Sequence, residues 1–346
     1  MPSAAEPIRA AIAEAGGAIP FERFMALALY GDGGFYTDSG GVAGRRGDFI
    51  TSPEVGPLFG ALIARWLDEV WAESDRPDPF TFVEAGAGPG TLARSIRLAK
   101  PTCLTALRYI AVEVSAAQRE RHPDWVVSVA TMPTEPVVGA IFANELLDNL
   151  PFRLFVMDGA WREAFVVAQP NGTFGEVLRV AADGAQLELP EGVSHGARVA
   201  VQGQAAGWVG SALDLLQRGR LLVVDYAVMT TGELAAKPWR NWLRTYAGHQ
   251  RGQHYLRDPG MQDLTSDVVI EQLQRQVGAP VTVMTQAQRL GSLGIAELVS
   301  EGQRVWAEQA ATPTLYALRM RSRISESEAL LDPQGLGGFT VLEWKH

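Results

Sequence analysis

Thr81-Phe82-Val83-Glu84-Ala85-Gly86-Ala87-Gly88-Pro89-Gly90-Thr91 runs from a short apolar strand through an acidic residue into a glycine loop, and a helix follows from Leu92 to Ala99. Glycines let the backbone turn sharply and approach a ligand closely, and the helix behind them offers unpaired N–H groups and a positive dipole end. Such a loop suits a nucleotide-type cofactor. The G-x-G-x-x-G spacing of dinucleotide sites fails, because its third glycine would fall at Thr91. The spacing is acidic-x-G-x-G-x-G, with Glu84, Gly86, Gly88 and Gly90. The next strand, Arg108 to Val114, carries Glu113, 23 residues beyond Gly90. In doubly wound folds a carboxylate at that place accepts hydrogen bonds from both hydroxyls of a ribose.

The chain has 346 residues, 47% of them apolar, enough for a large core. A net charge of −9 argues against broad contact with a phosphate backbone, so nucleic acid is not an expected partner. The single cysteine, Cys103, excludes an internal disulfide and a cysteine metal cluster, and no metal site is expected. The first residues lack a basic segment followed by an apolar run, and no stretch of about 18 apolar residues occurs. A cytoplasmic protein without membrane insertion is expected.

In chain order, apolar spacing predicts a helix over residues 7–30, then a glycine-dense connection through Gly31, Gly34 and Gly40–Gly47 that reads as a lid. An amphipathic helix over residues 59–71 follows, and Thr51-x-x-Glu54 matches either a capping box at its start or a ligand contact. Strands at 81–84, 108–114, 125–129 and 140–145 alternate with helices at 91–99 and 115–121, which implies a parallel, doubly wound sheet. Ligands of such sheets sit beyond the carboxyl ends of the strands, where Glu84, Glu113, Asn144 and Glu145 fall. Three Phe-, Val- and Leu-rich runs between 152 and 180, separated by Asp158-Gly159 and Asn171-Gly172, predict an inserted antiparallel β meander, a substrate cap or a homodimer surface.

A helix near 208–216, stopped by Gly219, leads to a strand at 221–226 that ends in Asp225. Residues 230–265 are rich in arginine and aromatics, unlike the rest of this acidic chain, and read as a long functional loop. Thr265-Ser266-Asp267 is placed as the N-cap of a helix to about 277. A strand at 281–285, helices at 295–309 and 313–323, and a strand at 338–344 complete the chain. This divides it into an N-terminal helical segment with a lid, 1–78, and a catalytic domain, 79–346, with insertions at about 151–205 and 230–277.

The glycine loop is similar to that of class I S-adenosylmethionine methyltransferases, whose cofactor has no pyrophosphate and whose ammonium group a nearby carboxylate can hold. Longer motifs agree. Tyr30-Gly31-x-x-Gly34-Phe35-Tyr36, Gly47-Asp48-Phe49-Ile50-Thr51-Ser52-Pro53-Glu54, Ala143-Asn144-Glu145-Leu146-Leu147-Asp148-Asn149-Leu150-Pro151, and His249 with Gln262-Asp263-Leu264-Thr265 together resemble the MidA-like family, most of the chain being covered. Two positions depart from its pattern: Asp225-Tyr226-Ala227 replaces Asp-Tyr-Gly, and Phe35 replaces a tyrosine. The resemblance implies a Rossmann-like class I fold, S-adenosylmethionine as cofactor, and methylation of an arginine in a protein acceptor such as a respiratory complex I subunit.

By that resemblance Glu84, Gly86, Gly88, Gly90, Thr91, Glu113 and Asn144 bind the cofactor, and Tyr30, Gly34, Tyr36, Asp48, Thr51, Pro53, Glu54, Tyr226 and Tyr246 form the lid or substrate side. Arginine stays protonated in water and attacks poorly, so carboxylates must grip it and help remove a proton. Glu145 and Asp148 are the expected clamps, Asn144 the orienting amide, Asp225 a further acid, and His249 a proton acceptor. Each has a plainer reading: Asp148 as a turn cap, Asp225 as a structural acid, His249 as a solvated loop residue. His122 carries no functional signal. Small-molecule methylation, a non-catalytic cofactor-binding assembly factor, and a nicotinamide dehydrogenase are the competing functions.

Overall fold

Phe80–Ala85 is buried along its whole length, as a strand covered by helices on both faces must be. It is β1 of a seven-stranded sheet that continues with β2 (Leu107–Val112), β3 (Val127–Val129), β4 (Val137–Asn144), β5 (Leu216–Asp225), β6 (Thr282–Thr285) and β7 (Thr340–Lys345). The spatial order is β6-β7-β5-β4-β1-β2-β3. β1 to β5 pair parallel, and β7 runs antiparallel between β5 and β6. The computed structural model describes residues 4–37, 51–181, 183, 187–248 and 250–346. Asp48, His249 and the Gly40–Gly47 run lie outside the described residues.

Helices Pro57–Glu73 and Thr91–Ala99 pack on one face of the sheet around buried Trp66, Phe82 and Phe142, while Gly203–Leu215 and Ile270–Val277 cover the other. Trp66 Nε1 donates to Glu343 on β7 at 2.8 Å, so this large buried side chain keeps a polar partner. Thr51 makes no side-chain cap: residues Ser52–Val55 form a separate short helix, and Gly56 breaks the chain before Pro57. The long helix is capped instead by Glu326, which accepts from Leu58 N at 2.8 Å across 268 residues.

Several expectations change. The single helix over 7–30 is two, Ala5–Glu14 and Phe21–Tyr30, because Gly16 and Gly17 adopt φ of 75° and 102° and Ile19–Pro20 pairs with a strand of the insertion. The meander is present as Arg153–Asp158, Ala160–Ala168 and Phe174–Arg179, joined by Arg198–Val201. The N-terminal helices share a core with this insertion through Phe21, Phe24, Phe152 and Tyr255, whereas Pro57–Glu73 belongs to the central sheet. Packing therefore does not follow the division at residue 78. The presumed loop over 230–265 holds a helix, Thr231–Ala236, and a three-stranded sheet of Leu243–Ala247, Gln250–Arg251 and Asp263–Ser266. Thr265 and Ser266 are thus strand residues; Ser266 accepts from Gln202, Asp267 pairs with Arg244 and Lys237, and the next helix begins at Ile270.

Gly219 does not stop a helix. It lies within β5 opposite Gly139 of β4, with φ of 136° and 151° respectively. A Cβ on Gly219 would stand 1.7 Å from Gly139 O, and one on Gly139 would stand 2.0 Å from Thr81 O. Only glycine permits strands β1, β4 and β5 to approach there. Gly219→Ala is expected to destabilise the protein by about 3 kcal/mol, the upper range for overpacking. Gly207→Ala, in a helix with nothing within 4 Å, should stabilise it by about 0.5–1 kcal/mol. Urea unfolding of both variants checks the contrast.

Candidate active site

Loops leaving β1, β2 and β4 at their carboxyl ends enclose a cavity of about 380 Å³. The glycine loop and Thr91 form one wall, Glu113 to Ser115 and Gln118 another, Asn144 to Leu146 with Asn149 the floor, and Tyr30, Tyr36, Thr51, Pro53 and Glu54 the side contributed by the N-terminal segment. Four glutamates, Glu54, Glu84, Glu113 and Glu145, line it, and among the described residues no lysine, arginine or histidine does. Such a wall favours a cation and disfavours a phosphate.

Gly86, Gly88 and Gly90 take φ of 71°, 51° and 76°, left-handed values that other residues adopt at a cost. Glu113 Oε2 accepts from Gly88 N at 2.9 Å and Oε1 from Ser115 N at 2.8 Å, which fixes the carboxylate while each oxygen keeps a second lone pair. Burial raises its pKa, and the backbone donors oppose the rise. Glu84, inside β1, accepts a 2.5 Å hydrogen bond from the Tyr109 hydroxyl; burial pushes its pKa up to about 8. Both acids, and the loop between them, face one end of the cavity.

His122 belongs to this machinery, although nothing in its sequence context marks it. Its Nε2 lies 2.8 Å from Gly88 O and its Nδ1 2.8 Å from Ser128 Oγ. A carbonyl only accepts, so Nε2 carries the proton and Ser128 donates to Nδ1. Burial lowers the His122 pKa and keeps the ring neutral. Arg94 donates to Pro89 O at 2.8 Å, so the carbonyls of Gly88 and Pro89 are both held by side chains.

At the other end, Glu145 has a φ of 51°, left-handed for a residue with a Cβ, and its N donates to Val224 O at 2.8 Å. Burial, then the charge of Asp225, pushes its pKa up to about 8, while hydrogen bonds from Asn144 and Tyr226 oppose. Asn144 Nδ2 donates to Glu145 at 2.9 Å, and Asn144 Oδ1 is buried without a partner among the described residues. Tyr30 and Tyr36 stack at 5.6 Å, and their hydroxyls reach Asn149 O, and Asn149 Oδ1 with Asp263, respectively.

The structure separates the remaining expected residues from the cavity. Asp225 accepts from the backbone N of Leu147, Asp148 and Tyr226, so it holds the turn behind Glu145 and does not reach the ligand space. Asp148 is buried behind that turn with Oδ1 unpartnered, its pKa raised by burial and by Asp225. Burial pushes the Asp225 pKa up to about 7 against the pull of these backbone donors. Tyr226 and Tyr246 lie outside the lining; the Tyr226 ring packs at a tilt 4.2 Å from Phe339 and under the Arg244 guanidinium. Gly34 is a turn residue, required because a Cβ would stand 2.7 Å from Gly31 O.

These acids tie stability to pH. Glu84 and Glu145 hold protons to about pH 8 when folded but ionise near pH 4.3 in an unfolded chain. Between those values the folded state binds more protons, so stability present at low pH is lost as pH rises. The ligand-free protein is expected to lose several degrees of Tm between pH 6 and 8.5, and Glu84→Gln with Glu145→Gln should flatten that slope in a calorimetric scan.

Comparison with known proteins agrees with this geometry. The model of a family of S-adenosyl-L-methionine-dependent methyltransferases matches residues 62–286. A mitochondrial protein arginine methyltransferase, the NDUFAF7 homolog of Drosophila melanogaster, is 27% identical over 77% of this chain and 68% of its own. The mitochondrial protein arginine methyltransferase NDUFAF7 of Rattus norvegicus is 26% identical over 86% of this chain and 73% of its own. A COG1565 superfamily member from Burkholderia thailandensis, crystallised with S-adenosyl-homocysteine, superposes with a TM-score of 0.83 at 26% identity, covering 99% of this chain and 92% of that one. The fold is that of class I methyltransferases and the cofactor is S-adenosylmethionine, for whose ammonium and sulfonium charges the acidic cavity is suited. The chain belongs to the family of S-adenosyl-L-methionine-dependent methyltransferases that this model describes.

Proposed function

We propose that this methyltransferase N-methylates an arginine of a protein acceptor, a respiratory complex I subunit being the acceptor its resemblance suggests. The observation that carries this reading is the Asn144–Glu145 pair at the wall of an acidic cavity, in which Asn144 Nδ2 donates to Glu145 while Asn144 Oδ1 has no partner among the described residues. A guanidinium offers planar N–H donors and a charge, and that wall offers acceptors and carboxylates. The names of the Drosophila and rat relatives support the same acceptor chemistry.

When bound, S-adenosylmethionine supplies a methyl group on a positively charged sulfur. The glycine loop, Glu84 and Glu113 hold that cofactor, and Tyr30, Tyr36 and Pro53 cover the space beside it. Glu145 and Asn144 orient the acceptor nitrogen. Glu145 would take the proton that the acceptor nitrogen releases on receiving the methyl group. A carboxyl whose pKa stands at about 8 is a far stronger base than an ordinary glutamate. Alignment and water exclusion supply the rest, since displacement at a sulfonium carbon needs little further chemistry from the protein.

Glu145→Gln should bind S-adenosylmethionine within twofold of the parent but lower kcat about 100-fold, the ordinary effect of removing a proton acceptor. Equal turnover on a verified acceptor removes Glu145 from the reaction. Glu84 must ionise to meet a cation, so cofactor affinity is expected to rise severalfold from pH 6.5 to 8, and Glu84→Gln to abolish the rise in calorimetric titrations. The acceptor itself is tested by transfer of labelled methyl into a lysate from cells lacking the gene. A labelled protein band that maps to arginine supports the proposal; label confined to small molecules replaces it with small-molecule methylation, and no label despite cofactor binding favours a non-catalytic factor.

A further inference from the structure

Between Lys237 and Arg257 the chain carries five basic residues and no acidic one, in a protein of net charge −9. Two of the five are neutralised: Arg244 and Lys237 both pair with Asp267. Arg240, Arg251 and Arg257 remain exposed, and none of them forms an ion pair with the described residues. They form one ridge. Arg251 donates to Arg240 O, and the Arg240 guanidinium lies 4.2 Å over the Trp239 ring. His254 packs edge-on against that ring at 5.5 Å, and Arg257 N donates to His254 O at 2.8 Å. After burial, the charge of Arg240 is the largest influence lowering the His254 pKa, with Arg198 and Arg257 adding to it and Glu176 opposing. The nearest exposed acid in sequence is Asp258.

The ridge is joined to the cavity through a short ladder. Arg251 pairs across strands with Tyr246, and Tyr246 pairs with Asp263. Asp263 accepts from the Tyr36 hydroxyl at 3.0 Å and from Asn149 at 2.9 Å, two residues of the cavity wall. Two strand spacings amount to about 10 Å. Cavity and ridge therefore present opposite charges at neighbouring places: carboxylates inside, guanidinium groups outside.

We infer that this ridge docks an acidic segment of the protein acceptor, so that the methylated arginine enters the acidic cavity while aspartates or glutamates about four residues away, at roughly 3.3 Å per extended residue, bind Arg240, Arg251 and Arg257. This rests on the protein-acceptor reading above and adds the charge pattern that the acceptor must carry. A single-stranded RNA would also find arginines beside an aromatic ring, but it would bring its phosphates toward a cavity lined by four glutamates. A segment with one cation and flanking acids matches both surfaces.

The test uses fluorescein-labelled 13-residue peptides with a central arginine and either Asp-Glu-Asp or Asn-Gln-Asn beginning four residues away, with S-adenosylhomocysteine present. Acid-flanked peptides are expected to bind at least tenfold tighter than the amide-flanked ones at low salt, and the difference to vanish in Arg240→Glu/Arg251→Glu/Arg257→Glu. Unchanged cofactor affinity of that variant shows that it is folded, and Lys-flanked peptides should bind it better than they bind the parent. Equal affinity of the parent for acidic and amide-flanked peptides overturns the inference, as does tighter binding of a 12-nucleotide RNA than of the acidic peptide. Lysate labelling separates the two levels of failure: a protein band labelled equally well by parent and triple variant removes the docking ridge alone, whereas no protein band from the parent removes the protein acceptor and the ridge with it.

Discussion

Carboxylates packed into a cavity wall without a cation are the constraint on which the rest of this structure depends. Glu84, Glu113 and Glu145 line the cavity, and Asp148, Asp225 and Asp263 are buried behind it. Desolvation disfavours the ionised form of each. The fold meets this in three ways: hydroxyl donors such as Tyr109 and Tyr36, backbone N–H groups that hold Glu113 and Asp225, and pKa values pushed up to about 8 at Glu84 and Glu145. The desolvation that these acids bear is a strain that a cationic ligand offsets, which is how electrostatic preorganisation favours a sulfonium cofactor.

That strain is carried by a core built elsewhere. Trp66, Phe82 and Phe142 close one face of the sheet, and the Gly139–Gly219 contact draws β1, β4 and β5 together. The close approach lies at the amino ends of the parallel strands, opposite the cavity. Rigidity at one end leaves the loops at the other free to specialise, the usual division of labour in parallel α/β sheets.

The acceptor side is assembled from distant segments. Tyr30 and Tyr36 come from the N-terminus, Asn144 to Asn149 from the turn after β4, and Asp263 from the small sheet between β5 and β6; hydrogen bonds among Tyr36, Asn149 and Asp263 lock the three together. The second hydrophobic core, shared by the N-terminal helices and the meander, holds that arrangement in place. A change in either insertion can therefore reach the cavity without touching it.

The sequence by itself determined the central sheet, the cofactor loop and the position of Glu113, because the period of apolar residues and the needs of a tight glycine turn are local matters. It also placed Asn144 and Glu145 at a strand end. Only the tertiary structure decided that Asp225 braces a turn, that Asp148 and Tyr226 stand outside the cavity lining, that His122 holds the glycine loop, and that Glu326 caps a helix 268 residues away. Each of these depends on what a side chain meets across the fold, and spacing along the chain carries no record of it. Thr265, Ser266 and Gly219 show the same limit from the opposite side: their local patterns suggest a cap and a helix stop, and pairing with Arg244, Gln202 and Gly139 overrides both.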